Sequence, residues 1–303
     1  MSVAELESRE VMIEGAGAGL WSDALRRLRR NPGAIVGAVL VAIFVLVALA
    51  APLLAPHDPR AQDLNLIIKG CCPGPSSHHL LGVDDLGRDE LSRIIYGARL
   101  SLLIGIVSVS VGLSLGIVTG AISGFFGGWI DGLLMRLVDI MLAIPGFLMA
   151  IGIVALLGPG LFQVMIAIGI VNVPIFTRLL RGSVLAQREN DFVLAARAVG
   201  VRRRTILVSH VLPNAISPVI VQGTLALATA IIDAAGLGFL GLGPQDPSTP
   251  EWGNMLTDTV RYLQTAPFLA IFPGVAIVLS VLGFNLIGDG LREALDPKLR
   301  GRA

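Results

Sequence analysis

Two cysteines and two histidines fall within a short stretch, Cys71, Cys72, His78 and His79. Thiolates and imidazoles are zinc ligands, so a metal site is the first chemistry to weigh. The spacing has neither the CxxC nor the HxxxH arrangement of a structural zinc site, and no metal is expected here. Adjacent cysteines bridge only through a strained ring outside ordinary disulfide geometry. Free vicinal thiols are nevertheless unusual in an oxidising compartment. Cys71 and Cys72 are therefore candidates for a disulfide, with each other or with a neighbouring protein. Phosphate chemistry is excluded more firmly. A phosphate-binding loop needs glycine-rich backbone followed by Lys and then Ser or Thr. The only lysines are Lys69 and Lys298, and neither has that setting. The chain should not hydrolyse ATP or bind a cofactor itself, and any work it does must be driven by a partner subunit or an ion gradient.

Few charges stand inside the apolar stretches. Asp233 is isolated, and it either lines a pathway or hydrogen-bonds within a helix bundle. Arg136 and Asp139 are three residues apart and can neutralise each other on one helix. Asn172, Pro145, Pro174 and Pro273 mark places where a helix would be irregular and freed carbonyls would need partners. Asn172 and Asp233 are the candidate pathway residues.

The elements that hold these groups follow from composition. Of 303 residues, 54% are hydrophobic and only 15% charged, against about 25% charged in soluble domains. Disorder, a coiled coil and a disulfide scaffold are excluded, and an integral membrane protein is indicated. The net charge of +1 gives no basic field for nucleic acid. Spanning helices of roughly 20 apolar residues are expected at 34–54, 100–126, 132–157, 161–180, 215–242 and 267–287. Most of the Lys and Arg residues, including Arg26, Arg27, Arg29, Arg30 and Arg202 to Arg204, fall on one side of this arrangement. The positive-inside rule then puts both termini in the cytoplasm. The basic start followed by apolar residues imitates a secretory signal, but both regions are too long for one. The chain divides into a cytoplasmic segment 1–33, a first helix with a long extracytoplasmic loop 34–99, a membrane core 100–290 containing a cytoplasmic loop 181–214, and a tail 291–303.

Two loops carry further pattern. In the outer one, Leu91, Ile94, Ile95 and Ala98 fall at helical spacing, predicting an amphipathic helix over 86–100 lying on the outer surface. Asp84, Asp85, Arg88, Asp89, Glu90 and Arg93 would form either its solvated face or a protein contact. The inner loop reads RGSVLAQRENDFVLAARAVGVRRRTILVSHVLPNAISP. Asp191 is a plausible N-cap. Phe192, Ala195, Ala196 and Val199 share one small apolar face, and Gly200 supplies a left-handed C-terminal stop. A second helical stretch is expected from 202 to 212, punctuated by Pro213. Such a short surface helix either docks in a groove of a partner or rests on lipid headgroups through Arg202, Arg203 and Arg204.

The run LAARAVG, nine residues, then HVLP resembles the cytoplasmic coupling motif of ABC importer permeases, Glu-Ala-Ala, three residues, Gly, nine residues, Ile, any residue, Leu-Pro. Ala195, Ala196, Gly200, Leu212 and Pro213 match, while Leu194 replaces the Glu and His210 the Ile. RRNPGAIVGAVLVAIFVLVALAAPLLAPHDP, HLLGVDDLGRDELSRIIYGARLSLLIG, FLGLGPQDPSTPEWGNML and LGFNLIGDGLREALDPKLR are similar to successive segments of the second permease subunit of dipeptide, oligopeptide and nickel importers. The likeness implies an all-α integral membrane protein of six transmembrane helices with a type I ABC importer permease core in helices two to six. It implies a bacterial inner-membrane assembly with a second homologous permease, two ATP-binding subunits that use ATP and Mg2+, and an extracytoplasmic substrate-binding protein. The residues placed against an ATPase subunit would be Asp191, Phe192, Leu194, Ala195, Ala196, Arg197, Val199, Gly200, Leu212 and Pro213. The competing reading is a secondary transporter driven by an ion gradient, with Asp233 as its ion site.

Overall fold

The computed structural model describes residues 20–67 and 71–295. The expectations for 1–19, for Lys69 and for the tail from 296 with Lys298 lie outside these residues. The described chain is helical, with no β-strand beyond an isolated bridge between Val83 and Asp89. Its longer helices are α1 (Leu20–Leu28), α2 (Pro32–Leu49), α3 (Glu90–Phe126), α4 (Gly128–Ala143), α5 (Gly146–Leu157), α6 (Leu161–Arg188), α7 (Asp191–Ala198), α8 (Ser217–Phe239), α9 (Trp252–Thr257) and α10 (Phe268–Leu295). Five of them, α2, α3, α6, α8 and α10, are each long and apolar enough to cross a membrane.

The sixth expected span differs. Residues 132–157 do not make one straight helix: α4 and α5 meet at a 95° bend. Pro145 is the cause. The residue before a proline is driven out of the α region, and Ile144 is extended at φ −93°, ψ 129°. Pro145 then starts α5. The expected Arg136–Asp139 pair is also replaced. Asp139 pairs with Arg178 of α6. Asp131 of α4 takes a two-pronged bond from Arg181, with Nε and Nη2 each donating at 2.6 Å. Arginine's planar fork makes this geometry specific, and it ties the bent pair to α6. Helix α6 itself runs to Arg188, two turns beyond the expected end at 180.

Helix α3 absorbs two expected elements. The surface helix predicted at 86–100 and the span 100–126 are one helix of 37 residues. At about 1.5 Å per residue it is far longer than the roughly 30 Å hydrocarbon layer. Its first turns therefore stand clear of the apolar layer. Asp89 caps it, accepting from the Ser92 N–H at 2.8 Å. Most of the charges expected on a solvated face or at a protein contact are buried within the chain: Asp84, Arg88, Asp89, Glu90 and Arg93. Arg88 donates to Asp84 at 2.6 Å and to the Pro247 carbonyl at 2.5 Å, and Arg93 lies 3.4 Å from Asp84. Buried charges need such partners, and Asp84 serves both arginines, while Glu90 Oε1 and Arg93 Nη1 make no hydrogen bond.

The same end of the bundle is closed by the stretch 247–257. Glu251 is fully buried. It accepts from the Gly253 N–H at 2.9 Å, the Asn254 N–H at 2.8 Å and Ser101 Oγ of α3 at 3.1 Å. Burial pushes this carboxyl above its ordinary pKa, against the pull of those donors. Trp252 is also fully buried, and its indole N–H donates to the Ile94 carbonyl at 3.0 Å. Phe44 of α2 meets the Trp252 ring edge-on at 5.6 Å, and Gly37 brings α2 so close to α10 that a Cβ there would fall 2.7 Å from the Gly283 carbonyl.

The centre is the contact of α3 with α6. Gly112, Gly116, Gly120 and Gly124 lie four apart on α3 and face α6. A Cβ at these positions would fall 2.7 Å from the Gly169 carbonyl, 2.4 Å from Phe176 Cβ, 2.7 Å from the Thr177 carbonyl and 2.9 Å from the Arg181 carbonyl. In lipid, helices gain little from hydrophobic burial between them and associate by close packing of small residues. A hydroxyl pair, Thr119 with Thr177 at 2.6 Å, adds a polar tie across the seam.

Two outcomes follow. Gly116→Val should destabilise the detergent-solubilised protein by about 1–3 kcal/mol, since backbone rather than a flexible side chain must yield. Gly182→Ala, on an open face of α6, should leave the melting temperature unchanged or raise it. Equal effects would contradict the packing account. Glu251→Ala leaves two N–H groups without an acceptor and should cost about 1–3 kcal/mol, whereas Glu251→Gln, which keeps a carbonyl acceptor, should cost less. Thermal unfolding of both variants tests this order.

Candidate functional site

The segment following α6 is built from a turn, a short helix and a wide helical turn. Asn190, not Asp191, is the N-cap of α7. Its backbone is extended at φ −74°, ψ 152°, while its side chain donates to Gln187 Oε1. Asp191 is the first helical residue, where an acid suits the positive end of the helix dipole. The helix closes on Gly200 at φ +82°, as expected. Gly200 N–H donates to the Arg197 carbonyl and Val201 N–H to the Ala196 carbonyl, each at 3.0 Å. That pair of bonds is the Schellman stop, which uses a left-handed residue.

The faces of α7 differ from the expected grouping. Val193 is fully buried and Ala196 nearly so, both in the core that holds Ile206 and Val211. Phe192, Ala195 and Val199 of the expected face point outward, and so does Leu194. Ala196 thus anchors the helix to its own bundle. Val199, at the helix's C-cap, is 79% exposed and lies beside Phe192, while Leu194 is uncovered on the far side of the buried strip. Arg197 is exposed on the same helix.

Beyond Gly200 the expected α-helix over 202–212 is a turn at Arg203–Thr205, a π-helical stretch Ile206–Val211 and an α turn Leu212–Ala215. The wide turns precede Pro213, which has no N–H for the α ladder. Leu212 is half-buried and Pro213 exposed. A groove of about 510 Å³ between this segment and the end of α3 is lined by Phe125, Phe126, Arg188, Arg197, Arg203 and Ile206. Arg188 Nη1 donates to the Gly124 carbonyl at 3.0 Å, linking the segment's entry to the glycine seam. The arrangement offers a protruding apolar helix with a basic rim, rigidly rooted in α6 and α8.

The remaining candidates lie apart. Asn172 is buried at the α3–α6 seam and donates to the Ile168 carbonyl at 2.9 Å. Asp233 is half-buried on α8, with no polar partner among the described residues. Cys71 and Cys72 sit with their sulfurs in contact. His79 turns away from the cysteines to Asp89. Sequence reasoning missed Glu251 with Ser101 and the Asp131–Arg181 and Asp139–Arg178 ties. The only signal for them was polar residues beside apolar stretches, with no fixed spacing to couple them.

Comparison with known proteins agrees with this geometry. The family model described as "Binding-protein-dependent transport system inner membrane component" matches residues 116–301, and one for the N-terminal transmembrane domain of oligopeptide transport permease C matches residues 19–69. The dipeptide transport system permease protein DppC of Alkalihalophilus pseudofirmus is 50% identical over 280 residues, covering 92% of this chain and 90% of that protein. The di/tripeptide permease protein DppC of Pseudomonas aeruginosa is 49% identical over 275 residues, 90% of each chain. The glutathione permease protein GsiD of Shigella flexneri is 47% identical over 285 residues, 93% of this chain and 91% of that one. A chain of the inward-facing MetNI methionine ABC transporter shares the fold, with a TM-score of 0.56 at 19% identity over 67% of this chain and 96% of that one. With both its membrane core and its N-terminal span matched, the chain belongs to the inner-membrane components of binding-protein-dependent transport systems, as a non-catalytic ABC permease subunit that relies on separate ATPase and substrate-binding components.

Proposed function

We propose that this permease serves an importer of dipeptides, oligopeptides or a related small peptide such as glutathione. Its assembly would comprise a second homologous permease, two ATP-binding subunits that bind ATP and Mg2+, and an extracytoplasmic binding protein. Relatives at 45–50% identity over nine-tenths of the chain bear peptide-transport names, which supports the substrate class. In this reading α7 seats its outward residues Phe192, Leu194, Ala195 and Val199 in a cleft of one ATPase subunit, and Asp191 and Arg197 flank the contact. Closure of the ATPase pair then moves α7. Val193 and Ala196 pass that movement to the core, and Gly200, Leu212 and Pro213 carry it toward α8. The observation that carries this is the split helix: Val193 and Ala196 are buried in its own bundle, while the apolar residues Phe192, Leu194 and Val199 around that strip are uncovered. Family membership sets aside the ion-gradient carrier.

Asp233 is the proposed pathway residue, receiving a peptide amine in the space between the two permeases. The burial of Asn172 favours a packing role for that residue.

Phe192→Ser with Val199→Ser, reconstituted with the partner subunits, should insert and melt normally yet lose at least about tenfold in ATP-dependent uptake. Undiminished uptake would overturn the docking assignment. Asp233→Asn should reduce uptake of peptides with a free amino terminus roughly tenfold or more, because a charge-assisted bond is lost. N-acetylated peptides should be little affected, and an equal loss for both classes would refute the amine contact.

A further inference from the structure

Two imidazoles and a carboxylate that the transport function leaves unused converge at the α3 end of the bundle. They come from three separate parts of the chain: His57 follows the first spanning helix, His79 closes a turn with Ser76, and Asp89 caps α3. His79 Nδ1 lies 2.9 Å and His57 Nδ1 3.6 Å from the same oxygen, Asp89 Oδ1. The donor atoms of the three residues all fall within 4.8 Å of one another. We propose that His57, His79 and Asp89 form a binding site for a late first-row divalent cation, with Zn2+ as the reference ion.

The geometry suits that ion. With zinc–nitrogen and zinc–oxygen bonds near 2.0–2.2 Å, tetrahedral donors stand roughly 3.4 Å apart. The two distances to Asp89 Oδ1 bracket that spacing, and rotation of the half-exposed His57 ring draws in the third donor. The set of two imidazoles and one carboxylate, with one position open to solvent, is a zinc pattern. Imidazole also suits Cu2+ and Ni2+. The rings lie 4.8 Å apart at 33°. Supporting bonds are in place. Asp89 Oδ2 accepts from the Ser92 N–H at 2.8 Å, leaving Oδ1 for the ion, and the His57 backbone N–H donates to Ser92 Oγ at 3.0 Å, holding the residue in place. Such outer bonds orient metal ligands. His57 also borders a solvent groove of about 870 Å³, so an ion reaches the site without any opening of the fold. A bound cation would join the exit of the first spanning helix to the start of α3. The set shares only His79 with the cluster considered from sequence.

The test uses the assembled transporter in a Cys71→Ser, Cys72→Ser background, freed of metal with EDTA and titrated with Zn2+ alone. One equivalent per chain should bind, and the affinity should fall at least about tenfold in His57→Ala and in His79→Ala. Asp89→Asn keeps the helix cap and should also weaken binding with the melting temperature in EDTA unchanged. X-ray absorption of the loaded protein should show imidazole and oxygen donors. No saturable uptake below about 100 μM, or binding unchanged in the His57→Ala, His79→Ala double variant, would overturn the site and leave a hydrogen-bonded histidine pair.

Discussion

The backbone-to-backbone approach of α3 and α6 is the constraint on which the rest of the molecule depends. Four glycines in register let the helices close to a distance at which no side chain fits between them. Lipid tails are as apolar as leucine, so this packing, together with the threonine pair, has to do what water exclusion does in a soluble core. Because α6 continues past the seam into the segment that carries α7, the seam also sets where that helix emerges. Arg188, bound to the Gly124 carbonyl, ties the two together at that point.

Charge is handled differently at the two ends. Around Glu251, Asp84 and Arg88, carboxylates and guanidinium groups are buried, and most of their partners are fixed backbone groups or rigid forks. This end is built to hold one shape. Around α7 the cations Arg197 and Arg203 are exposed, and the apolar residues beside them are uncovered. The two ends thus differ in how much of their polar and apolar surface the chain itself covers.

Much of this was legible in the sequence because lipid imposes long apolar runs, and because Gly200 and Pro213 have backbone requirements that side-chain patterns cannot hide. Five spans, the Gly200 stop and the family resemblance rest on such signals. What could not be read was three-dimensional pairing. Arg136 and Asp139 are neighbours in sequence, but Asp139 finds Arg178 across a helix boundary. The apolar spacing of 91–98 predicts a surface helix, since periodicity alone cannot tell that Trp252 and Glu251 arrive to cover it. Pro145 marks an irregularity in the sequence, but the size of the turn it makes, 95°, has no sequence signal. On α7, apolar residues crowd nearly the whole circumference, so the pattern could not say which would face inward.

If α7 docks as proposed, the separation of inward and outward residues means that partner choice and fold are set by different side chains. Exchanging the exposed Phe192, Leu194 or Val199 would then alter what a docked subunit meets, while the internal grip of Val193 and Ala196 is left alone. A lineage could therefore retune which motor it accepts, or share one motor among several pores, by surface drift alone and without rebuilding the pore.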